Sequence, residues 1–144
     1  MTKIYCAAGW FSPNMEKAIK DIEEVIDETN LRAVTFEPRN DTGKHFGGSN
    51  GPDWNGVFDD NVKHLKEAKL IIVSTVDKDM GTIWEAGYAS ALGKTIIYYN
   101  PFMESKEQFN LMLAKSGVGV CVSKAELKDF VLNFFKYDFN GNIE

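Results

Sequence analysis

Two acids lie close together in Asp79-Met80-Gly81-Thr82-Ile83-Trp84-Glu85-Ala86-Gly87-Tyr88-Ala89, just after the apolar run Leu70-Ile71-Ile72-Val73. The run reads as a buried strand, and the segment after it reads as a loop opening into a helix. That order places Glu85 at the carboxyl end of a sheet, where α/β folds hold their ligands. Gly81, Ala86, Gly87 and Ala89 crowd around it and let a substrate approach the backbone closely. A carboxylate there can be a nucleophile, a base or a metal ligand. Asp79 and Glu85 flank the helix start, and Asp59 and Asp60 lie in the preceding helix. Two carboxylates at one site can divide the work of glycosyl transfer, one attacking the anomeric carbon while another group handles the leaving-group proton. Acids in a first helical turn also favour the macrodipole, and many are there for that reason alone.

The rest of the chain must position these groups. Its 144 residues suit one domain with a full hydrophobic core, and its 44% hydrophobic and 26% charged content are those of a globular protein. A net charge of −5 argues against a nucleic-acid groove, which needs a basic face. No apolar run approaches membrane-spanning length. Met1-Thr2-Lys3 runs straight into a strand without a signal-peptide layout, so the expected compartment is the cytosol. Cys6 and Cys121 lie in apolar strand-like segments and read as buried reduced thiols.

Strand and helix alternate throughout. Strands are expected at Lys3–Ala8, Leu31–Phe36, Leu70–Thr75, Thr95–Tyr99 and Val118–Val122. The first helix opens with Ser12 as N-cap and Pro13 at its first position, and Met15, Ala18, Ile19, Ile22, Val25 and Ile26 form its apolar face. Further helices are expected at Val57–Ala68, at Thr82–Leu92 ended by Gly93, at Ser105–Lys115, and from the capping box Ser123-Lys124-Ala125-Glu126 to about Phe135. A polar tail, Lys136–Glu144, closes the chain. The alternation predicts an α/β fold, a five-stranded parallel sheet in flavodoxin-like order with helices on both faces. The irregular stretch 37–56 leaves from the ligand end of the sheet and reads as an active-site loop.

Common motifs are missing. There is no G-x-G-x-x-G after the first strand, only Gly9, so a dinucleotide is not indicated. No Cys/His cluster has zinc spacing and no G-x-S-x-G elbow occurs, so neither a metal nor a cofactor is expected. His64 reads as a surface histidine, and His45 falls in the 37–56 loop, within reach of a substrate.

Ile4-Tyr5-Cys6-Ala7-Ala8-Gly9-Trp10-Phe11, the Asp79-x-Gly81-Thr82-x-Trp84-Glu85-x-Gly87 segment and Asn110-Leu111-Met112 together resemble the nucleoside 2-deoxyribosyltransferase family. The similarity runs from residue 3 to Tyr137-Asp138-Phe139. It implies a flavodoxin-like domain that transfers 2-deoxyribose between nucleobases with retention, on 2′-deoxynucleosides and free bases, without a cofactor. It implies Glu85 as the nucleophile and Tyr5 as its hydrogen-bond partner. Asp79 would bind deoxyribose hydroxyls, with Gly9 and Trp10 also at the substrate. Asn110 and Met112 would serve a neighbouring subunit's site in a dimer or hexamer.

One departure matters. The family usually has an aspartate facing the base in the second helix, and here Asn61 aligns with it, preceded by Asp60. Adjacent helix positions point about 100° apart, so Asp60 does not simply take the same place. Arg39, at the opening of the 37–56 loop, is a candidate to bind the base edge or a phosphate. Three functions compete: the deoxyribosyltransferase; a nucleoside or nucleotide N-glycosidase using the same Glu85 with water as acceptor; and a non-catalytic flavodoxin-like module that binds a nucleotide or a protein. Exclusion of water separates the first two.

Overall fold

Alternating apolar strands and amphipathic helices build one parallel sheet covered on both faces. The computed structural model describes residues 1–104 and 109–143, with side chains of the last helix described through residue 136. The strands are β1 Ile4–Ala8, β2 Thr35–Phe36, β3 Leu70–Ser74, β4 Thr95–Tyr99 and β5 Gly119–Cys121. They lie in the order β2-β1-β3-β4-β5, all pairs parallel, with Tyr5 opposite Phe36 on one side and Ile71 on the other. This is the flavodoxin-like order, whose switch point falls between β1 and β3. The helices are α1 Pro13–Glu28, α2 Pro38–Asp41, α3 Trp54–Glu67, α4 Met80–Ala91, α5 Leu111–Ser116 and α6 Lys124–Ile143.

The two-residue period of the strands sorts the core. Ile4, Cys6, Ala8, Leu70 and Ile72 face α1 and α6, meeting Ile19, Ile22, Ile26, Leu127 and Val131. Tyr5, Ala7, Ile71 and Val73 face the other way, onto Leu65 of α3, Ala68 just after it, and Ala86 and Ala89 of α4. Each fully buried aliphatic side chain stabilises the fold by about 1.5–3 kcal/mol. Cys6 and Cys121 are both reduced thiols buried in the first of these cores, and burial pushes the Cys6 thiol well up.

Caps set the helix starts. Ser12 Oγ accepts the Met15 N–H at 3.2 Å and Pro13 is the first helical residue, as expected. Helix α3 begins at Trp54, three residues before the expected Val57, because Asp53 accepts the Gly56 N–H at 3.0 Å. Helix α4 begins at Met80 rather than Thr82, because Asp79 supplies the cap. Gly93 ends α4 at φ +74°, the left-handed geometry that closes a helix.

Other boundaries differ from expectation. β2 keeps only Thr35–Phe36; Arg32–Val34 form a 3₁₀ turn, and the Thr35 hydroxyl donates back to the Leu31 carbonyl at 2.8 Å. The 37–56 stretch holds α2 and a second 3₁₀ turn, Gly43–Phe46, since Pro38 and the Asp41 side chain bonded to the Glu37 N–H start a turn. The fourth expected helix is seen as Leu111–Ser116, capped by Asn110, while residues 105–108 lie outside the described residues. The last helix continues to Ile143, through most of the segment expected to be a tail.

Candidate active site

Tyr5 and Glu85 meet at the switch point. β1 delivers Tyr5 to the α3/α4 face, where its ring is fully buried and packs against Phe36 at 5.5 Å between centroids. Helix α4 carries Glu85 back over the sheet, and the Tyr5 hydroxyl donates to the Glu85 carboxylate across 80 residues of sequence. Burial disfavours the ionised carboxylate, the Tyr5 bond favours it, and the negative charge of Asp79 opposes it. The balance lifts Glu85 from 4.5 to about 7. Burial and the adjacent Glu85 charge push the Tyr5 phenol well above its ordinary range, so it stays a donor.

Asp79 is held in place from below. Its Oδ2 accepts the Thr82 N–H at 3.0 Å and the Thr82 hydroxyl at 2.7 Å, which caps α4 and leaves Oδ1 for other partners. Gly9 lies against it: a Cβ there would come within 3.0 Å of Asp79 Cβ and 2.8 Å of Met15 Sδ. This close approach, at the end of β1, is the reason for glycine at position 9.

Glu85 lines a cavity of about 320 Å³ together with Phe58, Asn61, Val62, Gly81 and Trp84. Phe58 and Trp84 touch each other along its lining, 5.5 Å between ring centroids and tilted, and Trp84 stacks on Tyr88 at 5.2 Å. Both walls are about half exposed, at 53% and 47%. A planar heterocycle can stack or pack edge-on against such an aromatic wall. Neither aromatic is expected at the substrate from residue types and spacing; the available signal was an aromatic residue beside each acid, Phe58 before Asp59 and Trp84 before Glu85. Asn61 reaches the cavity with its Oδ1 sealed from solvent and without a hydrogen-bond partner among the described residues.

Asp60 goes elsewhere. It accepts from His45 Nε2 at 3.2 Å and lies 3.3 Å from His64 Nε2 and 3.4 Å from Lys44 Nζ. Burial works against its charge, but hydrogen bonds from His45 and Lys44 outweigh it and hold Asp60 below its ordinary value. The turn of one residue along α3 explains this, since it rotates Asp60 from the α4 side to the loop side. His64 is no surface histidine: it stacks on Phe36 at 3.9 Å and bonds the Thr2 hydroxyl at 2.6 Å. His45 clamps the 37–56 loop to α3 rather than lining the cavity.

Arg39 is likewise diverted. Its guanidinium forks onto Glu16, with one bond of 2.8 Å, and lies 3.9 Å from Glu23, so it is bound to α1 on the opposite face of the sheet. Trp10, at the end of β1, packs on Phe11 at 4.8 Å and is partly exposed. Asn110 accepts the Leu113 N–H at 3.2 Å and, with exposed Met112, lines a separate cavity of about 450 Å³ beside Asn100 and Lys78. Among the described residues, no group of three or more His, Cys, Asp or Glu is placed to hold a metal ion, and no helix is long and apolar enough to cross a membrane.

The model of the nucleoside 2-deoxyribosyltransferase family matches residues 4–131, a span that holds Tyr5, Asp79 and Glu85. The chain belongs to that family. A nucleoside deoxyribosyltransferase of Lactobacillus leichmannii is 26% identical across 94% of this chain and 93% of its own length. The 2-deoxyribosyltransferase structure from Bacillus psychrosaccharolyticus superposes with a TM-score of 0.70 at 24% identity, covering 88% of this chain and 90% of the other. A CMP N-glycosidase of Clostridium botulinum gives 0.58 at 19% identity, over 92% and 99%. At these identities the two structures share the fold with this protein. Nucleoside 2-deoxyribosyltransferases are enzymes acting on nucleosides and nucleobases, and the fold also serves N-glycosidases.

Proposed function

We propose that this protein transfers 2-deoxyribose between nucleobases through a covalent deoxyribosyl ester on Glu85. The observation that carries this reading is the buried Tyr5 hydroxyl bonded to the Glu85 carboxylate at the wall of an aromatic cavity. The Glu85 carboxylate attacks C1′; the C1′–N bond breaks and its electron pair leaves with the base. A second base then attacks C1′ through a ring nitrogen and gives up its N–H proton, matching the proton that the departed base takes up; the ester C–O bond breaks, its electron pair returns to Glu85, and the carboxylate regains its charge. Two inversions give net retention. Tyr5 aims the carboxylate and favours its ionised form. Asp79 Oδ1 is available to the sugar hydroxyls. The missing 2-hydroxyl of the substrate removes an electron-withdrawing group and eases the oxocarbenium-like transition state.

Asn110 and Met112 do not line the Glu85 cavity of their own chain, and Met80, Leu111 and Met112 are exposed. This favours an oligomer in which a neighbour supplies them to complete the site. Hydrolysis is the second reading, favoured by the half-exposed rims Phe58 and Trp84, which leave the cavity of one subunit open to water. Incubation of a 2′-deoxynucleoside with a different free base separates the two. Transfer predicts the exchanged nucleoside as main product, and hydrolysis predicts free deoxyribose whatever the acceptor concentration. Undiminished turnover of either kind by Glu85→Gln would refute both.

A further inference from the structure

We propose that Glu37 carries a proton at neutral pH and donates it to Glu23, forming a latch that fastens the 37–56 stretch to α1 and opens in alkali. The latch lies on the α1 side of the molecule and holds whatever chemistry Glu85 performs. Glu37 follows β2 directly, and its side chain is fully buried. Its Oε1 accepts from Asn40 Nδ2 at 2.8 Å, and the same nitrogen donates to Glu23 Oε2 at 3.0 Å. One amide thus bridges two carboxyl groups, one on each side of the contact between α2 and α1. Glu37 Oε2 is sealed from solvent and has no donor among the described residues. Arg32 Nη1 is 3.7 Å from it, beyond hydrogen-bond range. That guanidinium is spent on Asp27 at 3.1 Å and on the Glu23 carbonyl at 3.5 Å. A buried oxygen is normally paired, and this one is reached only from inside the protein. The Glu23 carboxylate is in hydrogen-bonding contact with Glu37. Two carboxylates cannot bond without a proton between them. A proton on Oε2 makes it a donor and Glu23 its acceptor, and both oxygens of Glu37 are then paired.

The charges around Glu37 point the same way. Glu16, Glu23 and Asp27 face the cluster from α1, Arg32 from the 3₁₀ turn, and Arg39, Asn40 and Asp41 from α2, with the Cys6 thiol of β1 nearby. Lys20 lies at the rim, 3.6 Å from Glu16. Arg39 is committed to Glu16 and Arg32 to Asp27, so Glu37 is left with neither a cation in bonding range nor water. Burial and the Glu23 charge push its carboxyl from 4.5 to about 9, against the pull of Arg32 and Arg39. The folded protein therefore keeps a proton that the unfolded chain releases in the ordinary carboxylate range. The stability this group contributes is full below about pH 4.5 and is lost as pH rises toward about 9. Above that, two charges repel across the α1–α2 contact. Helix α1 is anchored in the core by Ile19, Ile22 and Ile26, whereas no residue of α2 is buried. The 37–56 stretch is the side that gives way.

The test is the melting temperature of the full-length wild type and of Glu37→Gln from about pH 5 to 10. The amide keeps the shape of the protonated acid and donates to Glu23 at every pH. The variant should therefore gain on wild type as pH rises, by about 3 °C or more between about pH 6 and 9. Titration of Glu85 is common to both proteins and cancels in the difference. An ionised Glu37 paired with Arg32 predicts the opposite slope, with the variant losing ground as pH rises. That slope, or a flat difference, overturns the latch. Glu23→Gln is an independent second variant, since its amide donates to an ionised Glu37 and should remove the same pH dependence. The opening itself is read by amide hydrogen exchange of residues 38–46. After correction for base catalysis, their protection in wild type should fall by about tenfold or more between about pH 7 and 10, and should hold in Glu37→Gln. Protection that stays constant in wild type, or falls equally in the variant, overturns the opening in alkali.

Discussion

Removing one hydroxyl should move the working pH of the enzyme. In Tyr5→Phe the ring still fills its fully buried place, but the donor to Glu85 is gone. That bond is made to the ionised carboxylate and lowers its pKa, so deletion raises it above the present value of about 7. A hydrogen bond to a charged group is worth about 1.5–3 kcal/mol, and each pKa unit corresponds to about 1.36 kcal/mol. The ionisation of Glu85 should therefore shift up by about 1–2 units. A nucleophile must be ionised to attack. At pH 7 its ionised fraction falls from about one half to between about 1 and 10%. The measurement is kcat/KM for a 2′-deoxynucleoside from about pH 5 to 10, whose rising limb reports the free enzyme. The limb should move to higher pH, with a loss of about 5–50-fold at pH 7 that largely recovers in alkali. An unmoved limb with a pH-independent loss would refute the claim that Tyr5 acts on the charge of Glu85.

The geometry sets three further outcomes. Glu85→Gln should abolish transfer by several orders of magnitude and stabilise the fold in alkali. The folded pKa of Glu85 is raised from 4.5 to about 7, so its ionisation costs stability as pH rises through that window, by at most about 3 kcal/mol. Melting curves of the variant at pH 8 should lie above wild type, while curves at pH 4 coincide; identical pH dependence would refute this. Gly9→Ala should drive a methyl into Asp79, which Thr82 keeps from retreating, and lower kcat/KM by about tenfold or more with a stability loss of about 1–3 kcal/mol; kinetics within twofold of wild type would count against a substrate role for Asp79. If a neighbouring subunit completes the site as proposed, activity per mole should fall on dilution, and a fully active monomer by light scattering at nanomolar concentration would rule out a shared site.

What the sequence by itself determined is local. The two-residue period of Ile4–Ala8 and Leu70–Ser74 sorted the core faces, and the apolar face of α1 was legible residue by residue. The β/α alternation implied the parallel sheet, and the position of Glu85 after β3 implied the ligand end. These features depend on neighbours within a few residues, where periodicity and capping act. Boundaries slipped where caps competed, as at Asp53 and Asp79, and where an edge strand had one partner, as at β2. The tertiary structure alone decided the partners of the long polar side chains. Arg39 reads as an available cation until α1 presents Glu16 and Glu23 to it. Asp60 reads as a candidate substrate-binding acid until the loop and α3 close His45 and His64 around it. Tyr5 and Glu85 meet, and Asn61 is left without a partner among the described residues, because elements far apart in sequence pack side by side. A hydrogen bond is decided by atomic separations of about 3 Å, and no pattern along the chain encodes distances between segments that only the packed sheet brings together.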